Sequence, residues 1–204
     1  MKKSHKKASQ NLYEEADRQQ GFFTRQQAVA AGFAGNTHPY HVQAKNWIRE
    51  YRGIYRLAQF PQPSNPDLML WLLWSRNRQG IVEGVYSHET ALNLYDLSDL
   101  MPVKLHMTVP KDFRRNSPIP KILILHYKDI PKTDIENVHD IRTIKPLAAI
   151  ITLMAEGRIS KDFLIQAMRE GLRRGLITQA TINQAPVPKE IQNEFQELLK
   201  QTRR

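Results

Sequence analysis

The sequence has 204 residues, 41% of them hydrophobic and 25% charged, which is enough for one large or two small domains with proper cores. It contains no cysteine, which excludes disulfides, thiolate metal sites and a cysteine nucleophile. The net charge of +10 favours a polyanionic partner, and residues 1–60 hold ten basic but only four acidic residues, so most of the excess lies in that segment.

The first predicted helix covers residues 11–20 and follows a lysine-rich arm at residues 1–7 that we expect to be disordered. A second helix begins at Thr24, because Gln27 three residues later completes a capping box, and it ends at Gly32. A third, short helix is predicted from the start signal Asn36-Thr37-His38-Pro39 to Lys45, since proline is tolerated in a first turn.

Two β-prone runs, residues 47–50 and 54–57, flank Gly53 and predict a hairpin. Helix, turn, helix and hairpin is the order of a winged helix-turn-helix, whose second helix enters the major groove while the hairpin lies on phosphates. The polar side chains of the candidate recognition helix, which can contact base edges, are Thr37, His38, Tyr40, His41, Gln43 and Lys45. The three hairpin arginines, which we expect on phosphates, are Arg49, Arg52 and Arg56.

Three prolines between residues 59 and 66 predict a domain boundary, with a winged helix-turn-helix domain at residues 1–60. The second domain is predicted at residues 67–180. Its expected elements are an all-round apolar helix at 68–74, a short helix capped by Ser87, strands at 103–109 and 121–127, and helices beginning at Pro146 and Ser160. Residues 181–204 form a linker and a final amphipathic helix. The predicted fold class is α+β: an N-terminal winged helix-turn-helix followed by a mixed α/β C-terminal domain.

Chemistry-bearing motifs are few. Ser87-His88-Glu89 suggests a nucleophile, base and acid, but neighbouring helical positions point about 100° apart, so capping by Ser87 is the preferred interpretation. His38 and His41 lie one turn apart and could share a metal, but no third ligand is near them in the sequence. Phosphate-binding and dinucleotide-binding glycine motifs are absent. We therefore predict a binding protein rather than an enzyme, with no catalytic residue, metal or cofactor.

The longest uninterrupted apolar run, residues 68–74, is far too short to span a bilayer. No apolar signal segment follows the basic start. We therefore expect no membrane partner and a cytoplasmic protein.

Five segments together resemble the AbiEi antitoxin family, in that family's order and spacing over about residues 10–178. They are Gly21-Phe22-Phe23-Thr24-Arg25-Gln26-Gln27-Ala28, Gly53-Ile54-Tyr55-Arg56-Leu57, Tyr86-Ser87-His88-Glu89-Thr90-Ala91-Leu92, Leu97-Ser98-Asp99 and His106-Met107-Thr108-Val109-Pro110. The family comprises transcriptional regulators of bacterial abortive-infection systems, a form of antiviral defence. The resemblance implies a repressor that binds inverted repeats in its own promoter, and a second domain that acts as antitoxin against a nucleotidyltransferase-like toxin.

The resemblance also places Arg25 and the recognition-helix positions, with Asn36 at their start, in the DNA-binding part. It implies no catalytic role for the segment from Ser87 to Thr90. The Asn-Thr-His-Pro start of the third helix departs from the Ser/Arg-rich start usual in that family, so base preference is not transferred. Two alternatives stay open: an orphan regulator without a toxin partner, and a DNA-processing nuclease with its site in the second domain.

Overall fold

The computed structural model of the chain describes residues 2–63 and 65–202. Helices surround two separate sheets, which confirms the α+β class. The chain forms two compact units. The first unit contains Met1–Glu83 with His139–Ile141, and the second contains Gly84–Val138 with Arg142–Arg204.

The first unit follows the order helix, strand, helix, helix, strand, strand, helix. Its elements are α1 (Lys2–Asp17), β1 (Phe22–Thr24), α2 (Arg25–Ala31), α3 (His38–Gln43), β2 (Trp47–Tyr51), β3 (Ile54–Leu57) and α4 (Pro66–Trp74). The three strands form one antiparallel sheet with β3 at its centre. Helix α1 begins at Lys2, so the prediction of a disordered arm at residues 1–7 was wrong for residues 2–7.

Local signals set the start and end of α2 as predicted. The Thr24 hydroxyl accepts a hydrogen bond from the Gln27 backbone N–H, and the Gln27 side chain accepts one from the Thr24 N–H. Gly32 ends the helix with φ = 112°, a value that glycine adopts at little cost. Phe23 and Ala28 are both fully buried in one aromatic core with Trp47.

The first unit continues past the boundary expected at residues 59–66. Helix α4 packs on β1 and β3, and six of its nine residues are buried. An apolar helix of this kind is stable only when it is covered on most sides, and the small sheet supplies part of that cover. The compact unit therefore includes α4 and the residues up to Glu83.

The second unit is built on a five-stranded sheet. Its elements are β4 (Val85–Tyr86), α5 (His88–Leu94), β5 (Leu105–Val109), β6 (Leu123–Tyr127), β7 (Ile135–Val138), β8 (Ile141–Ile144), α6 (Pro146–Glu156), α7 (Lys161–Arg173), α8 (Gln179–Gln184) and α9 (Gln192–Thr202). The strand order is β6-β5-β4-β8-β7, with β5 parallel to β6 and antiparallel to β4. Strands β7 and β8 were not predicted.

Helices α5, α6, α7 and α9 share the apolar core of this unit. The final helix buries Phe195, Leu198 and Leu199, and α9 packs on α7, so the predicted apolar stripe is covered by its own unit. Across the described residues, none of the helices has both the length and the apolarity that crossing a bilayer requires.

Candidate functional site

Three segments of the first unit meet at the tip of the β2–β3 hairpin. The backbone N–H of Arg25, at the start of α2, donates to the Gly53 carbonyl at the hairpin tip over 2.9 Å. The Arg25 guanidinium covers the turn between α2 and α3, where a Cβ on Gly35 would lie 3.0 Å from its Nη2. The start of α2, that turn and the hairpin tip therefore form one continuous surface.

Among the exposed cations of the first unit, Arg25 and Arg52 lie at this surface, Arg49 lies on β2, and Lys45 lies just before that strand. Within residues 2–63 and 65–202, none of these four has a carboxylate within the 4.0 Å that defines an ion pair. Their charges are therefore open to a solution partner, and such cations are the side chains that contact phosphates. We call these four residues the basic set.

Helix α3 presents part of its predicted polar face to solvent. Tyr40 is 66% exposed, and Asn36 and Gln43 are also exposed. Thr37 is half-buried, and its hydroxyl donates to the Ala34 carbonyl over 2.7 Å, which ties it to the preceding turn. Asn36, Tyr40 and Gln43 are therefore the members of this helix region that are free to reach a base edge.

His38 and His41 require a correction, because both side chains point into the aromatic core. They are only 2% and 8% exposed, and the His41 ring stacks on Trp47 with 4.5 Å between centroids. Positions three apart share one face of a helix, and in α3 that face is the buried one. Neither histidine can contact DNA in this conformation.

Arg56 is the second correction. Its side chain is 11% exposed, and its Nε donates to Glu50 Oε1 over 2.8 Å. It lies on the central strand β3, paired with Phe22 on one side and Ile48 on the other. Arg56 therefore stabilises the sheet, and Glu50 balances its charge.

Arg76 supports the hairpin tip and was missed from the sequence. Its Nη2 donates to the Gly53 carbonyl over 3.3 Å, and its Nη1 donates to the Leu73 carbonyl over 2.7 Å. It follows α4, outside the predicted helix-turn-helix, so only the packing of α4 on the sheet could have indicated this position.

In the second unit, the chain turns sharply between β4 and α5. His88 has φ = 54°, a left-handed conformation that costs about 1–3 kcal/mol outside glycine. This conformation brings His88 Nδ1 within 2.8 Å of Ser87 Oγ, which also accepts from the Thr108 hydroxyl over 2.8 Å. Ser87 occupies the N-cap position, but its hydroxyl caps no backbone N–H, so the capping prediction was wrong.

His88, His106 and His126, far apart in the sequence, come together in space. One nitrogen from each ring lies within 4.8 Å of the others. Strand pairing explains the convergence: β5 lies between β4 and β6, His106 opposes Ile124, and Thr108 opposes His126. We call these three residues the histidine cluster.

Two carboxyl groups flank the histidine cluster. His88 Nε2 lies 2.9 Å from Glu156 Oε1, and His106 Nδ1 lies 3.3 Å from Glu89 Oε2. His106 Nδ1 is also 3.0 Å from His126 Nε2. A cavity of about 300 Å³ borders the cluster and is lined by His88, His126 and Glu156 among others.

Burial sets the protonation of this cluster. Burial, together with the nearby His88 and His106, lowers the pKa of His126 to about 4. Burial also lowers the pKa of His106, although the negative charge of Glu89 acts in the opposite direction. Burial alone would raise the pKa of Glu156, but the His88 hydrogen bond and the nearby cationic groups lower it overall. Burial therefore favours the neutral imidazole form at both His126 and His106.

Comparison with solved structures shows a likeness in fold. No family model matches this chain, and no curated protein sequence matches it either. The crystal structure of the RV2827C protein from Mycobacterium tuberculosis superposes with a TM-score of 0.58 at 12% identity, over 96% of this chain and 76% of that one. At this identity the relation concerns the fold alone: the chain shares its fold with that mycobacterial protein.

Proposed function

We propose that the protein is a sequence-specific DNA-binding transcriptional repressor that uses its first unit as a winged helix-turn-helix. The observation that carries the proposal is the basic set: Arg25, Lys45, Arg49 and Arg52 are exposed and form no ion pair among the described residues. By contrast, Arg56 on the adjacent strand forms an ion pair with Glu50, so its charge is already neutralised. An unbalanced set of surface cations is what a phosphate-binding surface requires.

The element order supports this use of the unit. A helix, a strand, two helices and a two-stranded hairpin follow one another from α1 to β3. In a winged helix-turn-helix, the helix at the position of α3 enters the major groove and the hairpin contacts the backbone. Asn36, Tyr40 and Gln43 would then face base edges, while Arg49 and Arg52 would contact phosphates.

The resemblance to AbiEi antitoxins supports a more specific role. A repressor of that kind would bind inverted repeats in its own promoter, and the second unit would act as antitoxin against a nucleotidyltransferase-like toxin. Co-expression with the neighbouring reading frame and co-purification separates this role from that of an orphan regulator. A stable complex supports the antitoxin role, whereas repression without any complex supports the orphan regulator.

The direct test measures binding to a labelled duplex from the upstream region of the gene, by fluorescence anisotropy at moderate salt. We expect wild-type protein to bind this duplex more tightly than a shuffled duplex of the same composition. Arg52→Ala should weaken binding to both duplexes, because a phosphate contact carries no sequence information. Lys121→Ala, which removes an exposed charge in the second unit, is the matched control and should bind as wild type does.

A DNA-processing nuclease is the second candidate, and the observation that favours it is the pairing of the histidine cluster with Glu89 and Glu156. A nicking assay on supercoiled plasmid with added Mg²⁺, Mn²⁺ or Zn²⁺ separates the two candidates. The repressor proposal predicts intact plasmid under every condition. Cleavage that His88→Asn abolishes would favour the nuclease.

A further inference from the structure

We propose that the second unit holds one divalent transition-metal ion of the zinc type, bound by His88, His106 and His126 with Glu156 as a fourth ligand. This proposal goes beyond DNA binding and rests on none of the residues of the basic set. It also reverses the prediction, made from the sequence, that the protein contains no metal site.

The spacing of the ligand atoms suits a small tetrahedral ion. Zinc bonds to imidazole nitrogen at about 2.0–2.1 Å, which places neighbouring ligands of a tetrahedron roughly 3.3 Å apart. His106 Nδ1 and His126 Nε2 are 3.0 Å apart, and His88 Nε2 and Glu156 Oε1 are 2.9 Å apart. The nitrogens of all three rings lie within 4.8 Å of one another. The His88 and His126 rings are stacked with 3.7 Å between centroids, so the proposal requires the half-buried His126 to rotate until its ring nitrogen faces the ion.

The surrounding hydrogen bonds orient the ligands as they do in known zinc sites. A zinc-binding histidine normally donates its second ring N–H to an oxygen, which fixes the tautomer and the ring. His88 Nδ1 faces the Ser87 hydroxyl over 2.8 Å, and Thr108 holds that hydroxyl in turn. This arrangement leaves His88 Nε2 directed at Glu156, where the metal would lie.

The charges of the cluster also favour a cation. Glu89 Oε2 is buried and forms no hydrogen bond among the described residues, although His106 Nδ1 lies 3.3 Å from it. Burial of a carboxylate is costly unless its charge is balanced, and a bound divalent cation would balance both Glu89 and Glu156.

The donor set selects among metals. Imidazole favours Zn²⁺, Cu²⁺ and Ni²⁺, whereas Mg²⁺ and Ca²⁺ favour sites built from oxygen ligands. Glu156 keeps about a third of its side chain exposed beside the cavity, which gives an ion a path to the site. The competing arrangement is a hydrogen-bonded network in which a proton takes the place of the metal.

The test uses the full-length protein after removal of metals with a chelator. Isothermal titration with Zn²⁺ should show one site per chain, and Co²⁺ should give a visible absorption band typical of nitrogen ligands in a tetrahedral field. His126→Gln should weaken Zn²⁺ binding at least ~10–100-fold, the loss that removal of an outer-shell partner already causes. Glu156→Gln should weaken it as well and shift the Co²⁺ band.

His139→Asn is the matched control, because His139 is exposed, lies outside the histidine cluster, and has a positive φ that asparagine tolerates. It should bind Zn²⁺ with wild-type affinity. Circular dichroism establishes that each variant is folded. The proposal is overturned if the folded wild-type chain binds no stoichiometric Zn²⁺, or if folded His126→Gln and Glu156→Gln both bind it as tightly as wild type. The first result would indicate the proton-bearing network.

Discussion

At the scale of single residues, the periodicity of α3 separates side chains that stabilise the fold from those open to a partner. His38 and His41 lie on the face that packs against Trp47 and Tyr55. Tyr40 and Gln43, also three residues apart, lie on a face open to solvent. All four are polar or amphipathic in the sequence, so their types alone could not assign the faces. A helix of six residues is too short for an unambiguous apolar stripe.

This division predicts opposite outcomes for two neighbouring substitutions. His41→Ala removes a ring stacked on Trp47 and should lower the free energy of unfolding by about 1–3 kcal/mol, measured by urea denaturation. Gln43→Ala should change that free energy by less than about 0.5 kcal/mol, because its side chain is exposed.

In a DNA-binding assay, Gln43→Ala should have the larger effect of the two substitutions. Gln43→Ala should reduce the preference for the upstream duplex over shuffled DNA by about 1–3 kcal/mol, the discrimination given by one good base contact. His41→Ala, assayed where it remains folded, should keep that preference. An unchanged preference in Gln43→Ala would remove Gln43 from the recognition surface.

The histidine cluster shows why another group of residues was missed. His106 and His126 are 20 positions apart, and His88 is 18 positions before His106. Only the parallel pairing of β5 with β6, and the antiparallel pairing of β4 with β5, brings them together. Ser87 and His88 would point apart if His88 had helical geometry, but its left-handed φ brings the two side chains together.

At the scale of secondary structure, the elements with explicit start and stop residues were the predictable ones. The Thr24–Gln27 capping box, Pro146 and Gly157 around α6, and Ser160 before α7 all mark observed helix ends. Strands β7 and β8 have four residues each. They are separated by His139 and Asp140, which both have positive φ although neither is glycine. Short strands without a glycine turn lack the usual hairpin signal.

Close packing of α7 gives a prediction at this scale. A Cβ on Gly171 would lie 2.7 Å from Ile177 Cδ1, so Gly171→Ala forces a clash in the core. Alanine favours a helix over glycine by about 1 kcal/mol, but overpacking costs about 1–3 kcal/mol, so we expect a net loss of stability in urea denaturation.

A double variant tests the cause of that loss. Ile177→Val deletes the clashing Cδ1 atom. The free energy of unfolding of Gly171→Ala/Ile177→Val should therefore exceed the value expected from adding the two single effects by about 0.5–3 kcal/mol. Strict additivity would show that the contact at 2.7 Å is not the source of the cost.

At the scale of the whole molecule, the net charge and the fold class could be predicted from the sequence, but the kind of ligand proposed for each unit could not. The cationic excess of residues 1–60 was evident from the sequence, and the structure leaves four of those cations exposed without ion pairs among the described residues. The second unit contains the histidine cluster, which neither the composition nor any sequence motif indicated. We therefore propose phosphate contacts for the first unit and metal binding for the second, and a separate experiment tests each proposal.

We claim that the basic set binds DNA phosphates, and the decisive measurement is how DNA affinity depends on salt concentration. The slope of log K against log salt concentration changes by about 0.9 for each phosphate contact on B-DNA. The Arg49→Ala/Arg52→Ala variant should therefore have a slope about 1.8 shallower than wild type. Lys121→Ala should keep the wild-type slope. Equal slopes for wild type and the double variant, with both proteins folded, would contradict the claim.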